Sequence, residues 1–129
     1  MYTDCAALSR LLSFIAQRGQ WEGEQLISPA LMDEMTRQHG YMGPAAAPTR
    51  RYGLGLVLLN RPDIPGGVLL GHQGFAYGCV DGAFVQPATG RQVVFLNGGA
   101  SEAREGRLGL VNKDLLAWAL TKEIPAWTR

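Results

Sequence analysis

The sequence predicts an α+β fold: an antiparallel sheet of three to four strands, with helices at both chain ends packed on one face. Three observations carry that expectation. Near the start, Leu8, Leu11, Leu12 and Ile15 recur at i, i+3, i+4 and i+7, one face of a helix. Near the end, Leu108, Val111, Leu115, Trp118 and Ala119 make a second helical stripe. Between them lie short apolar runs separated by Gly, Pro and Asn clusters, the pattern of strands joined by tight turns. The chain has 129 residues, 47% of them hydrophobic, enough for a single domain over residues 1–129 with its own core.

The first helix is expected over residues 4–18, with Thr3 as cap, Asp4 in the first turn and Gly19 as the stop. Trp21-Glu22-Gly23-Glu24 reads as a turn with an anchored aromatic. Ser28-Pro29 is a helix start, a capping hydroxyl followed by proline at the first helical position. Leu31, Met32 and Met35 form that short helix's apolar stripe, His39 complements its dipole, and it ends near Gly40. Residues 40–51 read as a loop, Arg50-Arg51 as a solvated pair, and residues 52–59 as a strand. Gly53 and Gly55 within it imply close backbone approach or a bulge. Residues 60–67 turn the chain, and Val68-Leu69-Leu70 runs into Gly71-His72-Gln73-Gly74. Residues 79–86 are a further strand, Pro87-Ala88-Thr89-Gly90 a hairpin connection, and Val93-Val94-Phe95-Leu96 a strand covered on both faces. Asn97-Gly98-Gly99-Ala100 breaks it. The last helix is expected over residues 105–122, with Pro125 ending it. Trp21, Trp118 and Trp127 read as packing anchors.

The net charge of +1 argues against nucleic acid as a partner, which needs clustered basic excess. It argues equally against disorder, which needs high charge and low hydrophobicity. No apolar run reaches the roughly 20 residues of a membrane span, and the first residues carry no signal-peptide pattern. Cys5 and Cys79 make no disulfide scaffold; one pairing is open to them, and free buried thiols are the expectation. His39, His72, Cys5 and Cys79 lack metal-ligand spacing, so neither a metal nor a cofactor is expected. Gly-x-Ser-x-Gly, P-loop and dinucleotide patterns are absent.

One constellation remains: Gly71-His72-Gln73-Gly74-Phe75 at the end of an apolar strand. Glycine at a strand edge lets a substrate lie close to the backbone, whose N–H groups can bind an oxyanion or an extended chain. Spacing alone favours the plainer alternative, a Gly-rich strand end in which His72 hydrogen-bonds a neighbour.

Five segments in order resemble the serine β-lactamase and penicillin-binding-protein family, in its class C-like branch of esterases and D-aminopeptidases. They are the Tyr2-Thr3-Asp4-Cys5-Ala6 helix start, Gly23-Glu24-Gln25-Leu26-Ile27-Ser28-Pro29, Tyr52-Gly53-Leu54-Gly55, Gly71-His72-Gln73-Gly74, and the hairpin from Phe84 through Pro87-Ala88-Thr89-Gly90 to Asn97. The resemblance is to the C-terminal part of such enzymes. Their nucleophile sits in Ser-x-x-Lys and their base in Tyr-x-Asn. Ser9, Ser13, Ser28 and Ser101 are followed at the third position by Leu12, Ala16, Leu31 and Arg104, never lysine. Tyr2, Tyr41, Tyr52 and Tyr77 are followed at the second by Asp4, Gly43, Leu54 and Cys79, never asparagine.

The resemblance therefore implies one wall of a hydrolase cleft. His72 stands at the family's Lys or His position, oriented to assist the base or bind a substrate carboxylate. Gln73 replaces the usual threonine, Gly74 keeps the strand open, and the Phe75 N–H is the implied oxyanion donor. His-Gln in place of Lys-Thr removes a fixed cation and a small hydroxyl, favouring ester or peptide over β-lactam substrates for the complete enzyme. A serine without a base is a poor nucleophile, so this chain alone is expected to be inactive. The implied partner is the missing N-terminal helical part of the same enzyme. The alternative is a non-catalytic module that self-associates through its sheet edge or an apolar face.

Overall fold

The computed structural model describes residues 3–41, 50–101, 103–105 and 108–122. The chain opens with α1 (Cys5–Ala16), then a hairpin of β1 (Gln20–Trp21) and β2 (Glu24–Gln25), then α2 (Pro29–Thr36). Asp4, not Thr3, caps α1: its carboxylate accepts from the Ala7 N–H at 2.8 Å. Ser28 caps α2 as expected, its hydroxyl accepting from the Leu31 N–H at 3.3 Å with Pro29 next in the chain. Six strands follow: β3 (Gly40–Tyr41), β4 (Arg50–Tyr52), β5 (Val57–Leu59), β6 (Leu69–Ala76), β7 (Cys79–Gln86) and β8 (Arg91–Asn97). A last short hairpin, β9 (Arg104–Glu105) with β10 (Leu108–Gly109), leads into α3 (Leu110–Thr121).

The architecture is α+β, and the sheet is antiparallel, in chain order β3-β4-β5-β6-β7-β8. It has six strands rather than three or four. The run expected over residues 52–59 is two strands, β4 and β5, because the chain turns at residues 53–56. There the Gly53 N–H donates to the Leu56 carbonyl at 2.8 Å, and the Leu54 N–H to the Met35 carbonyl at 2.9 Å. A side chain at Gly53 would collide with that same Met35 carbonyl, so the close approach expected there is present. β6 is longer than Val68-Leu69-Leu70: it carries the whole Gly71-His72-Gln73-Gly74-Phe75 motif inside it.

The helices do not share one face. Side chains alternate along β6, β7 and β8, and each set of alternate residues meets a different helix. Leu69, Phe84, Val93 and Phe95 pack with Leu108, Leu116 and Leu120 of the C-terminal segment. Leu70, Ala83, Val85 and Val94 pack with Leu12 and Ile15 of α1 and Met32 of α2. Three layers result, with α3 on one side and α1 and α2 on the other. The physical reason is in β8, whose apolar residues fall on both faces and need a cover on each. Fully burying a side chain such as Phe84 or Val85 stabilises the fold by about 1.5–3 kcal/mol relative to exposing it.

The phase of α3 differs from the expected stripe. Its buried positions are Asn112, Leu116 and Leu120, in line with Leu108, while Trp118 is 62% exposed. Leu31 of α2 and Leu11 of α1 are likewise exposed, at 63% and 54%. Cys5 and Cys79 are free, as expected, but exposed rather than buried. His39 lies at the end of α2 as expected, its Nε2 2.8 Å from the Glu34 carbonyl oxygen. The loop motif Gly43-Pro44-Ala45-Ala46-Ala47-Pro48, Pro125 and Trp127 lie outside the described residues. Among the described residues no helix is long and apolar enough to cross a membrane.

Candidate functional site on the open edge of a central strand

β6 has β7 along one side from Leu70 to Ala76. On its other side β5 pairs only with Leu69, Leu70 and Gly71. The β5–β6 pairing ends at Gly71, while β7 accompanies β6 on to Ala76. The motif therefore begins where β6 loses one neighbour.

Its two glycines are there for different reasons. A Cβ on Gly71 would collide with the Ala83 carbonyl oxygen and lie 2.7 Å from the Phe84 Cα, so β7's backbone requires glycine. A Cβ on Gly74 would meet nothing nearer than the Asp81 Cβ at 3.9 Å. Packing does not require glycine there; its absent side chain leaves room beside a cavity of about 290 Å³. Thr3, Leu8, His72, Gly74, Asp81 and Leu96 line that cavity on the α1 side of the sheet.

Alternation splits the four expected site residues. His72 is exposed on the cavity side, next to open Gly74. The Gln73 side chain turns the other way and is buried. Its Oε1 accepts from the Asn112 side-chain amide at 2.9 Å and from the Gly109 N–H at 3.2 Å, tying β6 to the start of α3. The same Asn112 amide donates to the Asp81 carbonyl at 3.2 Å, while its Oδ1 has no partner among the described residues. Phe75 also faces α3. The Arg104 guanidinium carbon stands 4.1 Å from its ring centroid, a cation–π contact. A side chain at Gly109 would press within 2.7 Å of that ring. Gln73 and Phe75 thus anchor the strand, and His72 and Gly74 face the space.

Sequence reading missed one residue of the site. The Tyr52 hydroxyl hydrogen-bonds His72 Nε2, and the two rings meet edge to face with centroids 5.9 Å apart. His72 Nδ1 is 2.7 Å from the Gln73 carbonyl oxygen. The register explains the meeting: Tyr52 pairs with Val57, and Val57 with Gly71, the residue before His72. Only pairing across three strands carries that signal.

The four serines all hold structure. Ser9 and Ser13 bracket the Gln92 amide and seat α1 on β8, Ser28 caps α2, and Ser101 accepts from the Ala103 N–H at 3.2 Å. None lines the cavity beside His72. Among the described residues no group of acids, histidines and cysteines could hold a metal ion. No protein-family model matches the chain, and no curated protein matches it.

Proposed function

We propose that this chain is the sheet-side wall of a serine-hydrolase cleft of the β-lactamase and penicillin-binding-protein type, with the nucleophile on an N-terminal helical part of the same enzyme. The substrate class is a small ester, amide or β-lactam, esters and peptides being favoured by His72-Gln73 over Lys-Thr. The observation that carries the reading is the half-open β6: the motif starts where β5 stops, and its His72 and Gly74 border a cavity. A strand whose neighbour stops short in this way can take an extended substrate by backbone hydrogen bonds. The serine inventory supports the division of labour, since all four hydroxyls are committed to caps, packing or a turn.

The test is turnover by the chain alone, with p-nitrophenyl acetate and a chromogenic cephalosporin as probes. The expected result is hydrolysis at the buffer rate. Turnover that a single Ser→Ala change abolishes would overturn the proposal, because it places the nucleophile within these residues. The coding sequence upstream sharpens it: an in-frame Ser-x-x-Lys supports the reading.

A second reading is a self-associating, non-catalytic module. It is favoured by an open apolar cavity of about 400 Å³ between α1 and the β1–β2 hairpin, lined by Leu11, Phe14, Trp21 and Leu26. It predicts an oligomer. A clean monomer by sedimentation at micromolar concentration, binding no apolar dye, counts against it.

A further inference from the structure

We infer that Tyr52 and His72 work as one unit, in which the Tyr52 phenol oxygen is the polar atom offered to a bound group and His72 is its positioning residue. A backbone carbonyl only accepts hydrogen bonds, so His72 Nδ1, 2.7 Å from the Gln73 carbonyl oxygen, carries the ring proton. In the neutral imidazole Nε2 is then the acceptor. Its partner is the Tyr52 hydroxyl, which therefore donates. Both ring nitrogens are occupied, and His72 has none free for a ligand. Tyr52 has given its only proton to the ring and keeps its oxygen lone pairs. The group that complements the pair is a hydrogen-bond donor, a hydroxyl or a primary ammonium, and not a carboxylate.

The arrangement is built by the fold. Tyr52 is half-buried, its ring packed against the core on the α3 side, so it reaches His72 from a fixed base. His72 is held by its own chain at Nδ1 and by β4 at Nε2. The carbonyl contact sets the tautomer, and the tautomer sets which way the phenol points. The inference rests on the proposed cleft only for the origin of the donor group, which a substrate or the enzyme's other part supplies. The geometry of the pair is independent of it.

The chain holds an internal control. His39, the other histidine, points Nε2 at the Glu34 carbonyl oxygen at 2.8 Å, so its proton sits on Nε2. The two histidines are expected in opposite tautomers. The experiment is imidazole ¹⁵N correlation spectroscopy of the full chain at pH 8.5, where imidazoles are neutral. His72 is expected as the Nδ1–H form and His39 as the Nε2–H form. In Tyr52→Phe the unprotonated His72 Nε2 resonance moves toward the value of an acceptor without a donor, and the His39 resonances stay. An Nε2–H form of His72, or an Nε2 resonance unmoved in Tyr52→Phe, would sink the inference. The wild-type tautomer decides alone should Tyr52→Phe not fold. Ethanolammonium and acetate probe the ligand class: the ammonium should shift the Tyr52 ring and His72 Nε2 signals, and a response to acetate alone would overturn the assignment. None of these readouts uses turnover, so a hydrolytic chain can refute the cleft and leave the pair standing, and the reverse.

Discussion

The two sides of β6 are made of consecutive residues and have opposite fates. On the α3 side, Gln73 and Phe75 are sealed by Asn112, Gly109 and Arg104. On the α1 side, His72 and Gly74 border open space. Alternation along a strand gives one short motif two jobs: every second residue holds the strand, and the others face whatever the cavity admits. The side chains of the motif thus divide, those of Gln73 and Phe75 holding the strand and that of His72 bordering the cavity. Substitutions on the two sides should therefore behave differently.

The largest expected effect tests the sealed side. Phe84 is 1% exposed and central to the α3-facing core. Phe84→Ala should destabilise the fold by about 3–5 kcal/mol, read from the urea midpoint. Leu12→Ala, on the α1-facing core, should cost about 2–5 kcal/mol, since both layers are packed. A negligible loss at Leu12 would mean that α1 is not a true second cover.

The glycines come next. Gly71→Ala forces a methyl into the β7 backbone and should cost about 1–3 kcal/mol or more. Gly74→Ala has room and should be neutral, or stabilising by up to about 1 kcal/mol as the unfolded chain loses freedom. Equal losses at the two positions would remove the distinction between a glycine that packing demands and one that keeps a cavity open.

Much of this fold was legible in the sequence, and the limits have physical causes. β7 matches its expected bounds because Cys79 to Gln86 lies between two turns with strong chemistry, the second closed by Gly90 at a positive φ of 71°. Ser28-Pro29 announced α2 because a cap is a local interaction. The helices were expected on one face although Val93-Val94-Phe95-Leu96 already demanded two covers. Which helix covers which face is a tertiary choice that no local pattern encodes. The α3 stripe was misphased because Asn112, a polar residue, occupies a core position and hides the true i, i+4 row. His72 was visible as a candidate, whereas Tyr52 beside it depends on register.

Gln73 and His72 give the next contrast, smaller in size. Gln73→Ala strands the Gly109 N–H and part of the Asn112 amide in the interior and should cost about 1–3 kcal/mol. His72→Ala removes an exposed side chain together with its hydrogen bond to the Tyr52 hydroxyl and should cost less, about 0.5–1.5 kcal/mol. Thermal unfolding of both variants settles it. A large loss at His72 with none at Gln73 would invert the anchor and the open position.

The smallest effect belongs to the opposite end of β6, where the chain enters the strand from the turn after β5. There Ile64 is buried in the α3-facing core, between Asp63 and an exposed proline. The Arg61 guanidinium bonds both Asp63 carboxylate oxygens, at 2.8 and 2.7 Å. That pairing holds the Asp63 carboxyl at about 2, below its ordinary 3.8. A carboxyl lowered in the folded state stabilises fully above its unfolded value and loses that contribution as pH falls through the folded one. The window is therefore between about 4 and about 2. Asp63 is solvent-exposed, so the contribution is screened and small. Asp63→Asn should be slightly less stable than wild type above pH 4, with the two urea midpoints converging by pH 2. A difference that stays constant across that range would mean that the turn is held by the burial of Ile64 alone. The entry to β6 would then depend, like its sealed side, on apolar packing, and the ion pair would play no part in placing the strand.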